Sequence, residues 1–325
     1  MFIPGVQEAT EGFDDMSDTR AVAPSAVAIM VVLCALWGLQ QVAVKLAIQG
    51  GMPVLPMAAL RSGGAVGLLC LWILGRQGWA AFARMLRPRV LGPGLVIGLL
   101  FSGEFLFLFP GLALTTAARG VLFLYTAPFF TALLSHVFLP RERLRPRQAV
   151  GLAIAFSGVA VAFADGLADP GGSVLGYGMC AMAAVMWGAT TVFIKASPVM
   201  RAEPPECMLL HQVAVSGVVI GGVSVLFGEA WPEGGVSGLA WLCLLYQTAI
   251  VTFASYLTWF WLIRHNQTAT LSGLTFLTPL FGIAAGAVVL GEHTGPALFA
   301  GVVAVAVGLR ALLSRPVQGV VKAAV

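Results

Sequence analysis

The sequence predicts an all-α transmembrane fold, a ten-helix bundle of two five-helix inverted-topology repeats. Three observations lead to this prediction: a very apolar composition, ten apolar segments of membrane-spanning length, and an internal repeat. Of the 325 residues, 59% are apolar and only 10% are charged. Soluble domains carry about 25% charged residues and avoid large exposed apolar patches. The composition therefore excludes soluble enzymes, disordered chains and nucleic-acid-binding proteins.

Ten segments are long and apolar enough to be membrane-spanning helices, which need about 20 such residues. They lie at 25–48, 54–75, 91–112, 119–139, 146–165, 173–196, 206–228, 238–262, 268–290 and 296–314. The loops between them are too short to hold a soluble domain, which needs about 50 residues.

The lysines and arginines predict the orientation. Most of them fall in the loops that follow spans 2, 4, 6 and 8 or in the tails. Because cytoplasmic loops are enriched in these residues, we expect these loops and both termini to be cytoplasmic. Residues 1–24 form a disordered cytoplasmic tail in this interpretation, and residues 315–325 form a second tail.

The two halves of the chain resemble each other at a shift of about 150 residues, which we read as an internal repeat. The matched pairs are Trp37-Gly38 with Trp187-Gly188, Lys45 with Lys195, Gly67 with Gly217, Glu142 with Glu292, Gly151 with Gly301, Gly158 with Gly308 and, one residue further, Pro128 with Pro279. The repeats cover 25–165 and 173–314. Because each holds five spans, an odd number, the second repeat has to insert upside down relative to the first.

Inverted repeats have a specific use in membrane proteins. Two halves related by an axis in the membrane plane provide an inward-open and an outward-open state, with a binding site between them. The sequence thus favours a secondary transporter over an enzyme. A non-transporting scaffold or sensor is one alternative, although it has no use for two interchangeable halves. An intramembrane enzyme such as a protease is another, but the sequence offers one buried acid rather than two and lacks the H-E-x-x-H motif.

Several short motifs recur in both repeats. They are Ala35–Gly38 with Val44-Lys45, Met186–Gly188 with Ile194-Lys195, Tyr125–Phe130 with Phe276–Phe281, and the pair Glu142 and Glu292. In these motifs the chain resembles the drug/metabolite transporter superfamily in its ten-helix EamA-type branch, over about residues 25–314. The resemblance implies a multi-pass permease of the bacterial inner membrane, often an exporter of amino acids or related metabolites.

Ionisable residues inside a membrane are costly, so each is a candidate functional residue. Glu104 in span 3 and Arg61 in span 2 both lie ~12 Å below the outer end of their helix, at 1.5 Å per residue. This equal depth predicts an ion pair. It leaves open whether the pair only joins two helices, binds the charged ends of a zwitterionic solute, or couples transport to proton movement.

Polar and aromatic side chains near the midplane form a second group of candidates, since they suit a cavity that is part apolar and part hydrated. They are Trp37, Gln41, Tyr125, Trp187, Thr191, His211 and Tyr256, with Gln40, Thr190, Tyr246 and Gln247 nearby. Ordinary helix packing is the alternative for each of them, and His211 fits packing better than proton transfer.

Two prolines and two glutamates are candidates for hinges and gates. Pro128 and Pro279 each remove a backbone hydrogen bond and should kink helices 4 and 9. Glu142 and Glu292 lie at helix ends, where they either cap a helix or latch the two repeats. We expect no cofactor, no metal and no nucleic acid. The expected partners are a small-molecule solute and the lipid bilayer, and the sequence is compatible with a monomer or a homodimer.

Overall fold

The computed structural model describes residues 22–114, 122–140, 142–162, 164, 173–290 and 296–313. These residues form helices, turns and short connections, and no strand occurs among them. Most of the predicted N-terminal tail, the whole of the predicted C-terminal tail and Glu292 lie outside the described residues. The all-α fold predicted from composition is confirmed.

Helices of the first half occupy the first five predicted spans and one loop. They are α1 (Pro24–Gln49), α2 (Val54–Arg76), the loop helix α3 (Gly78–Met85), α4 (Pro88–Ala113), α5 (Ala127–Phe138) and α6 (Pro146–Ala162). Those of the second half are α7 (Val174–Ala196), the loop helix α8 (Pro198–Ala202), α9 (Pro205–Phe227), α10 (Gly238–Leu245), a π-helix (Tyr246–Ser255), α11 (Tyr256–His265), α12 (Thr268–Leu274), α13 (Leu277–Leu290) and α14 (Pro296–Leu313).

The ten predicted spans are confirmed as apolar helices. Among the described residues, seven helices are long and apolar enough to cross a membrane. Three shorter apolar helices, Leu122–Phe138, Pro146–Ala162 and Phe299–Leu313, fall at predicted spans 4, 5 and 10. The sequence did not predict α3, α8 or the π-helix, because each is a local feature of a loop or of a longer apolar run.

The loops that alternate along the chain come together at opposite ends of the bundle. One end is here called the Arg-rich end and consists of 76–88, 139–140, 142–146, 197–204 and 264–267. There, Arg264 donates hydrogen bonds to the carbonyl oxygens of Glu203 at 2.6 Å and Arg201 at 3.0 Å. At the other end, the backbone amide of Leu55 donates to Glu229 Oε2 at 3.1 Å. This grouping matches the alternation that the positions of the cations predicted.

Helices 4 and 9 of the bundle are broken at matched places. Turns at Tyr125-Thr126 and at Thr275-Phe276 separate a short helical segment from α5 and from α13. Pro128 lies in the first turn of α5, where its missing amide costs no helical hydrogen bond. The break therefore comes just before the proline, rather than as a kink at it.

Matched glycines lie where helices of the two repeats cross. A Cβ on Gly151 would come 2.8 Å from Gly308 O, and one on Gly301 would come 2.6 Å from Gly158 O. Helices α6 and α14 thus pack backbone to backbone, each through its own pair of glycines. In the same way, a Cβ on Gly38 of α1 would meet Gly282 N of α13 at 2.7 Å.

The matched contact in the other half involves Gly188 of α7. A Cβ there would meet Thr131 N of α5 at 2.9 Å. The first helix of each repeat therefore packs against the fourth helix of the other repeat. The matched glycines at 38 and 188, 151 and 301, and 158 and 308 are therefore contact points between helices of the two repeats. The match of Gly67 with Gly217 is not one of them, since a Cβ on Gly67 would meet nothing within 4 Å.

Candidate functional site

A cavity of about 130 Å³ lies between the two repeats. Its first-repeat lining comes from α1, α4 and the turn before α5, and its second-repeat lining comes from α7, α9 and α11. Cavities of about 150 Å³ accept a ligand as large as benzene, so the volume suits a small organic molecule. The position between the repeats is where inverted-repeat transporters bind their solutes.

The polar lining combines one carboxylate with amides and hydroxyls. It consists of Glu104, Gln40, Gln41, Gln212, Thr190 and Thr191. Both threonine hydroxyls donate to carbonyl oxygens one helical turn back, Thr190 to Met186 at 2.8 Å and Thr191 to Trp187 at 3.1 Å. Each hydroxyl oxygen keeps acceptor capacity for another partner.

The rest of the lining is mostly aromatic. It consists of Trp37, Phe101, Phe105, Tyr125, Trp187, Tyr256, Trp259 and Phe260, with Leu108 and Leu124. The ring of Trp37 stands edge-to-face against Tyr256, with centroids 6.2 Å apart, and against Trp259, at 5.8 Å. Phe101 extends this cluster through Tyr256 at 6.2 Å, while Tyr125 and Trp187 form a separate pair at 6.0 Å.

Trp37 is held by a hydrogen bond to the end of the π-helix. Its Nε1 donates to Ser255 Oγ at 2.8 Å, and Ser255 Oγ in turn donates to Val251 O at 2.5 Å. Hydroxyls that bond the carbonyl four residues back disturb regular α-helix, and π-helices often occur at functional sites. The π-helix directly precedes Tyr256, so the extra residue per turn changes the direction in which Tyr256 and Trp259 point.

Seven of the nine predicted binding residues line the cavity: Trp37, Gln41, Glu104, Tyr125, Trp187, Thr191 and Tyr256. Arg61 and His211 are not among the described lining residues. Both lie within apolar helices, where depth alone does not determine which face of the helix a side chain occupies.

Arg61 is buried, with 3% of its surface exposed, and packs against an aromatic ring. Its Cζ lies 4.6 Å from the centroid of the Phe105 ring, a cation–π contact. Nε and Nη2 find no hydrogen-bond partner among the described residues. The guanidinium contact is thus with the Phe105 ring, and the ion pairs found among the described residues do not include the predicted pair of Arg61 and Glu104.

His211 of α9 packs against α4 of the first repeat. Its Nδ1 lies 2.8 Å from Cys207 O, one helical turn back. A Cβ on Gly94 of α4 would overlap the His211 ring, with Cγ 2.6 Å away. The ring therefore fills the space that Gly94 leaves open, which fits the packing role that the sequence favoured.

At the Arg-rich end, Glu142 joins the two repeats. Its Oε1 forms an ion pair with Lys195 Nζ at the end of α7. Its Oε2 accepts a hydrogen bond from the backbone amide of Thr268, the first residue of α12, at 2.8 Å. Lys195 Nζ also donates to Asn266 O at 2.6 Å. Glu142 is thus both a helix cap and an ionic contact between repeats.

Several lining residues were missed by sequence reasoning, among them Phe101, Phe105, Gln212, Trp259 and Phe260. Two of these had a usable signal. Gln212 is a second polar residue beside His211 in an apolar span, and Trp259 follows Tyr256 by three residues, which places both on one helix face. The phenylalanines had none, because the chain contains 20 of them.

Known proteins resemble this chain in sequence and in fold. The pattern of the EamA-like transporter family matches residues 24–164 and again residues 174–314. A probable amino-acid metabolite efflux pump of Salmonella typhimurium is 29% identical over 298 residues, 87% of this chain and 92% of that protein. A protein of the same description from Escherichia coli is 28% identical over 297 residues, with the same coverage. One solved crystal structure at 23% identity superposes with a TM-score of 0.72 over 91% of this chain and 99% of that one.

Proposed function

Since the chain belongs to the EamA-like transporter family, we propose that it exports small metabolites such as amino acids across the bacterial inner membrane. The relatives from Salmonella typhimurium and Escherichia coli that are described as amino-acid metabolite efflux pumps support this solute class and direction. Both termini are cytoplasmic in this proposal, so that the Arg-rich end faces the cytoplasm.

One observation carries the proposal: the cavity lies between the repeats and takes matched residues from both. Trp37 of the first repeat and Trp187 of the second occupy equivalent positions, and both line it. A site built from both repeats changes its access when one repeat rocks against the other. The arrangement therefore supports alternating access as the mechanism in this proposal.

Glu104 is the residue that we propose contacts the charged part of the solute. It is the carboxylate among the described lining residues. Intramembrane carboxylates bind substrates or carry protons in many transporters. Arg61 acts behind the Phe105 ring in this proposal, where its charge balances that of Glu104 inside the membrane.

The contact between Glu142 and Lys195 is the proposed closure at the Arg-rich end. It ties α7 to the connection before α6 and to the start of α12. When the cavity opens toward that end, these elements have to separate, so the ion pair breaks and reforms once per cycle. The breaks before Pro128 and Pro279 provide matched points at which helices 4 and 9 can bend.

A counterflow experiment tests the proposal. The purified full-length chain is reconstituted into proteoliposomes, which are loaded with a mixture of unlabelled amino acids, and the uptake of labelled amino acids is measured one by one. A carrier gives transient accumulation of its solute above equilibrium, whereas a pore gives none. Absence of accumulation for every amino acid and amino-acid derivative tested, with protein shown to be folded and inserted, would overturn the proposal.

A further inference from the structure

The lining of the cavity indicates the charge of its solute. We propose that the cavity binds a small organic ammonium ion, with the ammonium group at Glu104, and that it prefers solutes whose carboxylate is absent or masked, such as amino-acid amides. This inference rests on the proposed function and narrows its solute class.

Glu104 and its surroundings favour an ammonium group. The carboxylate lines a cavity whose walls are mostly aromatic rings. A carboxylate bonds an ammonium group through charge-assisted hydrogen bonds, about twice as strong as neutral ones. Inside the membrane water competes weakly for either ion, which strengthens the bond between the Glu104 carboxylate and an ammonium group.

The aromatic rings of the cavity wall also favour an ammonium group. Trp37, Tyr256 and Trp259 meet at interplanar angles of 78° and 75°. Perpendicular rings form the walls of a box, and aromatic boxes bind alkylammonium groups through the negative faces of their rings. The Trp37 ring is fixed by its bond to Ser255 Oγ at 2.8 Å. This wall is therefore positioned before the solute enters.

The small volume of the cavity disfavours a carboxylate on the solute. In about 130 Å³, a carboxylate on the same small solute cannot move far from Glu104. Two like charges at such short range repel each other in a medium of low dielectric constant. An amide in place of that carboxylate removes the repulsion, and the amides of Gln41 and Gln212 and the hydroxyls of Thr190 and Thr191 can bond it.

Three solutes of the same shape and size separate these effects. Alaninamide carries an ammonium and no carboxylate, alanine is the zwitterion, and isobutyramide replaces the ammonium with a methyl group. Binding to the full-length chain in detergent is measured by isothermal titration calorimetry at neutral pH. We expect alaninamide to bind about tenfold more tightly than isobutyramide, because a hydrogen bond to a charged group is lost, and more tightly than alanine.

Variants of Glu104 assign the preference to its carboxylate. Glu104→Gln should abolish the preference for alaninamide over isobutyramide, and Glu104→Asp should retain it. Glu233→Gln, the same change at an exposed loop residue, is the matched control and should bind as the unmodified chain does. Comparable thermal unfolding of all three variants excludes misfolding as the cause.

Several results would overturn the inference. These are binding of isobutyramide or alanine as tight as that of alaninamide, or a preference that persists in Glu104→Gln. If counterflow is nevertheless observed, the proposed export function stands and only the solute class is wrong. If no solute is exchanged or bound by the folded protein, the export function itself fails.

Discussion

Lys195 Nζ and Glu142 Oε1 form an ion pair that joins the second repeat to the first at the Arg-rich end of the bundle. The side chains are mostly buried, with 18% and 13% of their surfaces exposed. Their positions are those that the internal repeat matches with Lys45 and Glu292. Each repeat therefore has a lysine near the end of its first helix and a glutamate after its fourth helix.

Replacing either partner of this pair should destabilise the protein. Glu142→Gln keeps an acceptor for the Thr268 amide but loses the charge, and Lys195→Met loses the cation, so each should cost about 1.5–3 kcal/mol. The free energy of unfolding in mixed micelles is the measurement. The double variant should cost clearly less than the sum, because both single variants remove the same interaction. Additive costs would show that the pair makes no direct contribution.

Replacing either partner of the hydrogen bond between Trp37 Nε1 and Ser255 Oγ should lower the free energy of unfolding. Trp37→Phe and Ser255→Ala each remove the bond, and each should cost about 1 kcal/mol of unfolding free energy. The double variant should cost little more than the larger single effect. A strictly additive double variant would show that the two residues act independently. Solute binding should weaken in Trp37→Phe, because the ring loses its fixed orientation in the cavity wall.

Replacing a glycine at the crossing of α6 and α14 with alanine should destabilise the protein. A Cβ on Gly308 would lie 2.6 Å from Gly151 O and 2.8 Å from Ala155 Cα. Gly308→Ala should therefore destabilise the bundle by about 1–3 kcal/mol through overpacking. Gly67→Ala in α2 is the control, since a Cβ there meets nothing within 4 Å.

The control should be neutral or slightly stabilising, because alanine favours helix over glycine by up to about 1 kcal/mol. Thermal unfolding of the two variants side by side provides the comparison. If Gly308→Ala were as stable as Gly67→Ala, the backbone contact between the repeats would be looser than the structure has it.

The packing of His211 against Gly94 leads to a compensation experiment. Gly94→Ala inserts a methyl group into the His211 ring and should destabilise the protein by about 1–3 kcal/mol. Adding His211→Ala should recover part of that loss, because the smaller side chain vacates the space. The unfolding free energies of the single and double variants are compared. No recovery would mean that Gly94 is required for a reason other than the imidazole.

Hydropathy and charge along the chain were sufficient for the ten helices, because both depend only on what each segment contains. The alternation of cation-rich loops identified which loops share an end, and contacts such as Arg264 with Glu203 agree with it. The spacing of Trp37 and Trp187 revealed the repeat, and with it the place where the cavity lies. Each of these features depends only on which residues occur at which positions along the chain.

The rotation of each helix about its axis was decided only by the tertiary structure. Counting residues predicts equal depths for Arg61 and Glu104, yet Glu104 lines the cavity while Arg61 stacks on Phe105. Depth follows from counting residues at 1.5 Å each, whereas the face of a helix that meets its neighbours depends on packing against segments more than a hundred residues away. The same dependence explains why Phe101, Phe105 and the Glu142–Lys195 pair became apparent only once the helices were packed.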